Sequence, residues 1–379
     1  MDKIYLDSAA SSKPDDAVIE DIIKSIKEDW HNPSSPYSSA HDVRQKIDRA
    51  KGQILNLING RDKDKIIFTS CGTESNNLGI QGFLKSHSEY ELLMDQTNHP
   101  SVDNVPIDHI VLPIDYEGRI KYYDDDLGYI LSETARCDKK PFVVCTMVNN
   151  EIGAINYIEG ISYQVHKYDG ILFVDCCQAI AHMPIDVQSM GIDMLSFTSE
   201  KIGCPRGVGV LYIRDGISVK PIMYGGSQND DIRAGTENQY MITAVGNRCE
   251  YLNEYLVDIM IREAIIEQKM CKAIENVCRE VCLYHYNIQK SVYNILSVRF
   301  DGYNNQQLLA LFDENGVECS AGSACSSGEA KPSRILKAIG LSDEEANNTL
   351  RFSFDYRLTD EEIDRFEKIL RKCLIALKR

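Results

Sequence analysis

Short apolar runs alternate with helical patterns through the middle of the chain, and this alternation restricts the fold more than any other feature. The runs occupy residues 66–68, 92–94, 110–112, 142–148, 171–174, 194–197 and 208–213. Short runs separated by segments long enough for crossover helices are typical of parallel strands that are buried on both faces. The sequence therefore predicts an α/β fold with a largely parallel sheet.

Polar residues follow these runs where the predicted strands end. They are Thr73, His99, Asn150, Asp175, Gln178 and Lys201. Each has an ordinary interpretation on its own, such as a helix cap, a turn residue or a solvated lysine. In an open parallel sheet, however, ligands bind beyond the carboxyl ends of the strands, so the whole set indicates a ligand site.

The types of these residues match the chemistry of pyridoxal phosphate. Lys201 lies in a turn between two apolar runs, where desolvation can remove its charge and allow a Schiff base with an aldehyde cofactor. Asp175 can hold the pyridine nitrogen protonated, Gln178 can reach the ring hydroxyl, and His99 can stack on the ring.

A phosphate site is predicted where the run 66–68 ends. Gly72 and Thr73 begin a helical pattern there, so free backbone amides and a hydroxyl meet at a helix N-terminus. Thr198 offers a second hydroxyl at the end of the run 194–197. Taken alone, an ordinary helix capped by Thr73 explains the motif better.

Composition limits the other possibilities. The chain has 379 residues, more than one compact core usually holds, so we expect two domains. The formal net charge of -16 argues against nucleic acid as a partner. The thirteen cysteines are scattered through apolar segments without zinc-like spacing, which favours reduced thiols and disfavours a metal site. No signal peptide or membrane-spanning run is recognisable, so we expect a cytoplasmic protein.

The last third of the chain predicts a smaller α/β unit. A helical pattern over 238–282 would connect the two parts. The later pattern predicts strands at 294–300 and 350–354 and helices at 306–314, at 332–339 and from 359 onward. The loop 319–328 consists of small and polar residues, so the thiol of Cys325 is expected to be exposed or mobile, unless it is a loop cysteine without a role.

A series of ordered motifs extends along almost the whole chain. They are YLD at 5–7 with Ala9-Ala10, NPSS at 32–35, FTS at 68–70 with GTE at 72–74, Asn98-His99, VNNEIG at 148–153, Val174-Asp175 with Gln178, Lys201, Gly225-Gly226 with Gln228, RAGTEN at 233–238, SAGSAC at 320–325 and RFS at 351–353. In these motifs the chain resembles the cysteine desulfurases, which belong to the class V aminotransferases among the fold-type I pyridoxal phosphate enzymes.

The resemblance implies a large cofactor domain, residues 15–248, built on a mostly parallel seven-stranded sheet. Residues 1–14 and 249–379 would form a small α/β domain. It also implies a homodimer in which Thr236 reaches the cofactor phosphate of the other subunit. Members of this family convert L-cysteine to L-alanine and hold the sulfur as a persulfide for an acceptor protein, for example in iron-sulfur cluster assembly.

The resemblance also implies individual roles. Lys201 would bind the cofactor and move the Cα proton of the substrate, and the Cys325 thiolate would attack the substrate sulfur. Arg351 would hold the substrate carboxylate with the help of Asn150. Cys319 is expected to be structural.

Several residues depart from the family pattern near the predicted site. Glu200 stands where the family has a histidine that donates to the phosphate, and its carboxylate should repel a dianion and weaken cofactor binding. Asp355 replaces a glycine and would bring a carboxylate close to the substrate carboxylate. Ser8, Tyr37 and Cys177 are further departures.

Two other kinds of protein stay open. One is a related pyridoxal phosphate enzyme, such as a selenocysteine lyase or a lyase or aminotransferase for another amino acid. The other is a non-catalytic relative that binds a partner. Because Cys325 is retained together with Lys201, Asp175 and His99, sulfur chemistry with an altered substrate or acceptor is favoured over a dead enzyme.

Overall fold

Strands and helices alternate along the chain, and the computed structural model describes residues 3–278, 281–284, 291–322 and 331–377. The strands are β1 (Ile4–Tyr5), β2 (Lys65–Thr69), β3 (Tyr90–Asp95), β4 (Ile110–Leu112), β5 (Lys140–Thr146), β6 (Ile171–Asp175), β7 (Met194–Thr198), β8 (Gly209–Ile213), β9 (Val281–Tyr284), β10 (Ile295–Phe300), β11 (Val317–Glu318) and β12 (Thr349–Ser353). The α-helices are α1 (Asp16–Glu28), α2 (Ser38–Leu57), α3 (Gly72–Leu84), α4 (Pro100–Asp103), α5 (Tyr129–Arg136), α6 (Ile158–His166), α7 (Gln239–Val277), α8 (Asn305–Glu314), α9 (Arg334–Ala338), α10 (Asp343–Asn347) and α11 (Asp360–Leu377).

Seven of these strands form one sheet in the order β2-β8-β7-β6-β5-β3-β4. Strand β8 is antiparallel to its neighbours β2 and β7, and the other neighbouring strands are parallel. The predicted α/β fold with a largely parallel sheet is therefore confirmed. Strands β2, β3, β5, β6 and β7 run in one direction, so the polar residues that follow them meet at one edge.

The central strands of this sheet are buried on both sides, because apolar side chains cover both of its faces. On one face the strands pack against α2, α6 and the first part of α7, with Ile54, Val165 and Ile242 in the same core. On the other face they pack against α3 through Leu78 and Phe83. This double cover holds the strand ends in fixed positions.

A second hydrophobic core lies beside the sheet. It contains the antiparallel sheet β12-β10-β9, the pair β1-β11, helices α8 and α11 and the end of α7. The rings of Phe300, Phe312, Phe352 and Phe366 contact one another, with centroids 5.2 to 6.3 Å apart. Strand β12 carries Arg351, so this core determines where that arginine lies.

Most element bounds lie within one or two residues of the sequence prediction, and the end of α7 is the larger difference. The helical pattern over 238–282 was too long, since α7 ends at Val277 and Cys282 lies in strand β9. The hydrogen-bonded ladder between β9 and β10 draws this segment into a sheet. The strand predicted over 142–148 ends at Thr146.

The proposed domain division into 15–248 on one side and 1–14 with 249–379 on the other stays a prediction, and α7 runs unbroken across residue 248. Within the described ranges, no helix has the length and apolar character needed to cross a membrane. Those ranges also hold no cluster of three or more His, Cys, Asp or Glu side chains that could bind a metal.

Substitution of Gly209 by alanine should destabilise the protein. A Cβ atom there would lie 2.3 Å from the carbonyl oxygen of Cys71, so the turn between β2 and α3 would have to move. We expect the free energy of unfolding to fall by about 1–3 kcal/mol. Gly52→Ala, in α2 with open space around it, is the control and should stabilise by roughly 0.5–1 kcal/mol. Urea unfolding followed by circular dichroism measures the free energy of unfolding of both variants. An unchanged free energy of unfolding in Gly209→Ala would contradict the close contact.

Candidate active site

A cavity of about 360 Å³ opens at the carboxyl edge of the main sheet. Its walls include many of the predicted site residues, namely Gly72, Thr73, His99, Asn150, Asp175, Gln178, Thr198, Lys201 and Arg351. The remaining lining residues are Ala9, Ala10, Cys71, Asn76, Ser101, Thr146, Val148, Cys177, Glu200 and Arg206. The sheet edge thus brings together side chains that are far apart in the sequence.

Lys201 lies in a short 3-10 turn directly after strand β7. Its Nζ donates to the backbone oxygen of Ala9 at 2.8 Å and to that of Ala10. Burial lowers the pKa of the Lys201 ammonium, and the neighbouring Glu200 carboxylate partly opposes this shift of the pKa. A lysine held in this way reaches the neutral, nucleophilic form more easily than a solvated one.

Asp175 ends strand β6 and is buried at the base of the cavity. Its Oδ2 accepts a hydrogen bond from Nδ2 of Asn76 at 2.8 Å, and its Oδ1 accepts from the backbone N–H of Cys177 at 2.9 Å. Asn76 is fixed in turn by the Ser196 hydroxyl, 2.5 Å from its Oδ1. The sequence interpretation missed this role of Asn76; an asparagine on the buried face of α3 was the available signal.

His99 combines its two possible roles. It is the N-cap of α4, where its Nδ1 accepts from the backbone N–H of Ser101 at 3.1 Å, and it also lines the cavity. Burial lowers the pKa of the His99 imidazole, which favours the neutral ring. A neutral ring at this wall is suited to stacking.

The start of α3 is where the anion site is predicted. The N-cap is Cys71, which makes no side-chain capping bond, so Thr73 lies inside the first turn and is not the cap. A Cβ atom on Gly72 would be 3.3 Å from the Thr198 Cβ and 3.3 Å from the Cys177 sulfur. Because residue 72 is a glycine, the first turn of α3 can lie close to the end of β7. An anion at this point could contact both elements.

Arg351 projects from β12 and is 2% exposed. Its Nη2 pairs with Asp7 Oδ1 at 2.6 Å, and its Nη1 donates to the backbone oxygen of Asn150 at 2.8 Å. Its Nε is buried without a hydrogen-bond partner among the described residues. A buried donor of this kind at a cavity wall is suited to a carboxylate ligand.

Two further predicted residues, Thr236 and Cys325, have different outcomes. Thr236 is exposed and does not line this cavity. Cys325 lies outside the residues that the structure describes. Cys319 is described; burial strongly raises the pKa of its thiol, which favours an inert side chain.

Asp355 corrects one expectation. It lines a different, small cavity with Glu263 and Arg357 rather than the candidate site. The Arg357 Nε lies 3.1 Å from each carboxylate oxygen of Asp355, and this ion pair holds Asp355 away from Arg351. The departure at residue 355 therefore brings no carboxylate into the candidate substrate site.

The other departures divide into two groups. Ser8 is buried and Tyr37 is exposed, and neither lines the cavity. Cys177 and Glu200 do line it, and burial strongly raises the pKa of the Cys177 thiol. Glu200 accepts a hydrogen bond from the Thr198 hydroxyl at 2.5 Å, so it lies beside the predicted phosphate position.

Comparison with known families gives a match over nearly the whole chain. The profile described as aminotransferase class-V matches residues 4–366. The chain belongs to the class-V aminotransferase family. The resemblance that the sequence motifs indicate is thereby confirmed.

Relatives within the class-V family support a narrower grouping. A cysteine desulfurase IscS of Dictyoglomus turgidum is 33% identical over 98% of this chain and 95% of its own length. Cysteine desulfurase IscS 1 of Archaeoglobus fulgidus is 33% identical over 97% of this chain and 95% of its own length. The X-ray structure of a NifS-like protein from Rickettsia africae has a TM-score of 0.88 at 24% identity, covers 98% of this chain and 99% of its own, and shows the shared fold.

Replacing Asn76 by leucine should destabilise the protein at the carboxyl edge of the main sheet. The change removes a donor to Asp175 and an acceptor for Ser196, and both groups are buried. We expect the free energy of unfolding to fall by about 1–3 kcal/mol. Asn56→Leu, on the exposed side of α2, should change it by no more than about 0.5 kcal/mol. Equal urea midpoints for the two variants would show that the Asn76 contacts are not needed.

Proposed function

We propose that this class-V family member is a pyridoxal phosphate-dependent cysteine desulfurase, which removes sulfur from L-cysteine and releases L-alanine. The observation that carries the proposal is the convergence of Lys201, Asp175, His99 and Arg351 on one cavity at the carboxyl edge of the sheet. The names of the relatives, cysteine desulfurases that match nearly end to end, give the substrate.

The cavity fits pyridoxal phosphate at both ends of the cofactor. The uncapped start of α3 leaves backbone amides for the phosphate, with Gly72, Thr73 and Thr198 around them. The buried carboxylate of Asp175 is positioned to meet the ring nitrogen, and Gln178 could reach the ring hydroxyl. When bound, pyridoxal phosphate supplies an electron sink for cleavage of bonds at the amino-acid Cα and Cβ.

Lys201 and Arg351 would act on the substrate. The half-buried Lys201 amine would bind the cofactor and then carry the proton to and from the substrate Cα. Arg351 would bind the substrate carboxylate, and its orphaned Nε is the donor that supports this role. Asp7 and the Asn150 oxygen hold the guanidinium in place, so the substrate would be oriented by a rigid fork.

Cys325 would receive the sulfur. Its thiolate would attack the sulfur of the substrate, so that an S–S bond forms on Cys325 while the Cβ–S bond of the substrate breaks. Protonation of the remaining three-carbon unit gives alanine, and the persulfide would pass to an acceptor protein, for example in iron-sulfur cluster assembly. The placement of Cys325 in this step rests on the family motif alone.

A homodimer is part of the proposal. Thr236 is exposed and does not line the cavity of its own chain, which supports the idea that it serves the phosphate of a second copy. The cytoplasmic location expected from the N-terminal sequence stays a prediction.

The proposal is tested by product analysis with purified protein and added pyridoxal phosphate. L-cysteine and a thiol reductant should give equimolar alanine and sulfide. Alanine from L-selenocysteine alone would indicate a selenocysteine lyase, and amino-group transfer to a keto acid would indicate an aminotransferase. A cofactor-loaded protein without any of these activities would be a non-catalytic relative.

Lys201→Ala should lose the covalently bound cofactor. With its Nζ removed, no other lysine lines the described part of the cavity, so the visible absorption band that borohydride removes from the wild type should be absent. Lys24→Ala, on the exposed side of α1, is the control and should keep the band. Retention of a borohydride-sensitive band in Lys201→Ala would assign the cofactor to another lysine.

Cys325→Ala should keep the cofactor band and lose persulfide formation, because cofactor binding and sulfur transfer use different parts of the chain. Steady-state alanine release with a thiol acceptor should fall by at least about tenfold, within the range for removal of a nucleophile. Cys319→Ala is the matched control and should retain activity. Undiminished turnover in Cys325→Ala would place the nucleophile elsewhere.

A further inference from the structure

The anion site at the start of α3 contains a carboxylate of its own. Thr198 lies beside the uncapped helix start, where a Cβ atom on Gly72 would be 3.3 Å from its Cβ, and its hydroxyl donates to Glu200 Oε2 at 2.5 Å. Glu200 lines the same cavity as Gly72 and Thr73. Glu200 therefore accepts the Thr198 hydrogen bond that a phosphate at this helix start would also use.

A carboxylate and a phosphate dianion cannot share this site without a change in charge. Like charges close together near a protein surface repel each other, and a dianion roughly doubles the repulsion from a single charge. A protonated carboxyl group, by contrast, can donate a hydrogen bond to a phosphate oxygen. Uptake of a proton by Glu200 would therefore replace the repulsion of the phosphate by a hydrogen bond to it.

The surroundings of Glu200 provide only partial compensation. The titratable or charged groups that share the cavity with it are Cys71, His99, Asp175, Cys177, Lys201, Arg206 and Arg351. Lys201 is the nearest cation in sequence, but its amine would form the covalent bond to the cofactor aldehyde. Arg351 is already paired with Asp7, and Arg206 is exposed to solvent, where its charge is screened.

We propose that binding of the cofactor phosphate to this protein is coupled to uptake of one proton by Glu200, so that cofactor affinity falls as the pH rises. This inference rests on the proposed function and goes beyond it, because it makes Glu200 a residue that sets the pH range in which the enzyme stays loaded. The direction of this pH dependence follows from linkage. An acid that holds its proton more tightly in the complex favours binding at low pH, and this gain in affinity is lost as the pH rises.

The test compares wild-type protein with Glu200→Gln, which keeps an acceptor for Thr198 but cannot ionise. The dissociation constant of pyridoxal phosphate is measured by absorbance titration at several pH values between about 5.5 and 8.5. Titration of the phosphate affects both proteins, but Glu200 also raises the pKa of Lys201, so the ratio of the two constants is divided by the same ratio measured with pyridoxal, which lacks the phosphate. We expect this ratio, wild type over variant, to rise at least about tenfold over the range, as one coupled proton allows.

Two controls make the outcome specific. The pyridoxal ratio should not rise with pH, because it contains only the effect of Glu200 on the Lys201 amine, and Glu28→Gln, an exposed acid at the end of α1, should match the wild type. A ratio independent of pH, or the same ratio with pyridoxal, would overturn the inference while leaving the proposed function intact. Failure of both proteins to bind pyridoxal phosphate would instead contradict the proposed function and this inference with it.

Discussion

The hydrogen bonds of the segment 7–12 hold the two hydrophobic cores and the candidate site together. The backbone oxygen of Ala9 accepts from both Lys201 and Gln178 at 2.8 Å, and its N–H donates to the Ser353 hydroxyl at 3.0 Å. The side chain of Asp7 pairs with Arg351. A single segment, with a turn at residues 8–10, thus connects the end of β7 to β12 and helps to fix the shape of the cavity.

This arrangement affects how charge is distributed in the cavity. Arg351 is already neutralised by Asp7, so a substrate carboxylate would be recognised by hydrogen-bond geometry at its Nε rather than by an unpaired positive charge. Lys201 is half-buried and its pKa is lowered by burial. Asp175 is held by two neutral donors. At Arg351 and Asp175, hydrogen-bond geometry rather than an unpaired charge would therefore orient a ligand.

The sequence predicted the sheet and most of the cavity because both follow from local rules. Buried strands appear as apolar runs, and the residues after Thr69, Asp95 and Asp175 must meet at one edge once the strands are parallel. The role of Asn76 and the cavity that the Asp355 side chain lines were not predictable in this way. Both depend on a tertiary partner, Asp175 for the first and Arg357 for the second, and sequence spacing carries no information on such contacts.

The most direct test of the central claim, that this cavity is the cofactor site, is a chemical map of the modified lysine. The protein is incubated with pyridoxal phosphate, reduced with borohydride, digested and analysed by mass spectrometry. If the carboxyl edge of the sheet forms the site, the pyridoxyl group will be found on Lys201 and on no other lysine in stoichiometric amount. Modification of a different lysine, or none at all, would contradict the site described above.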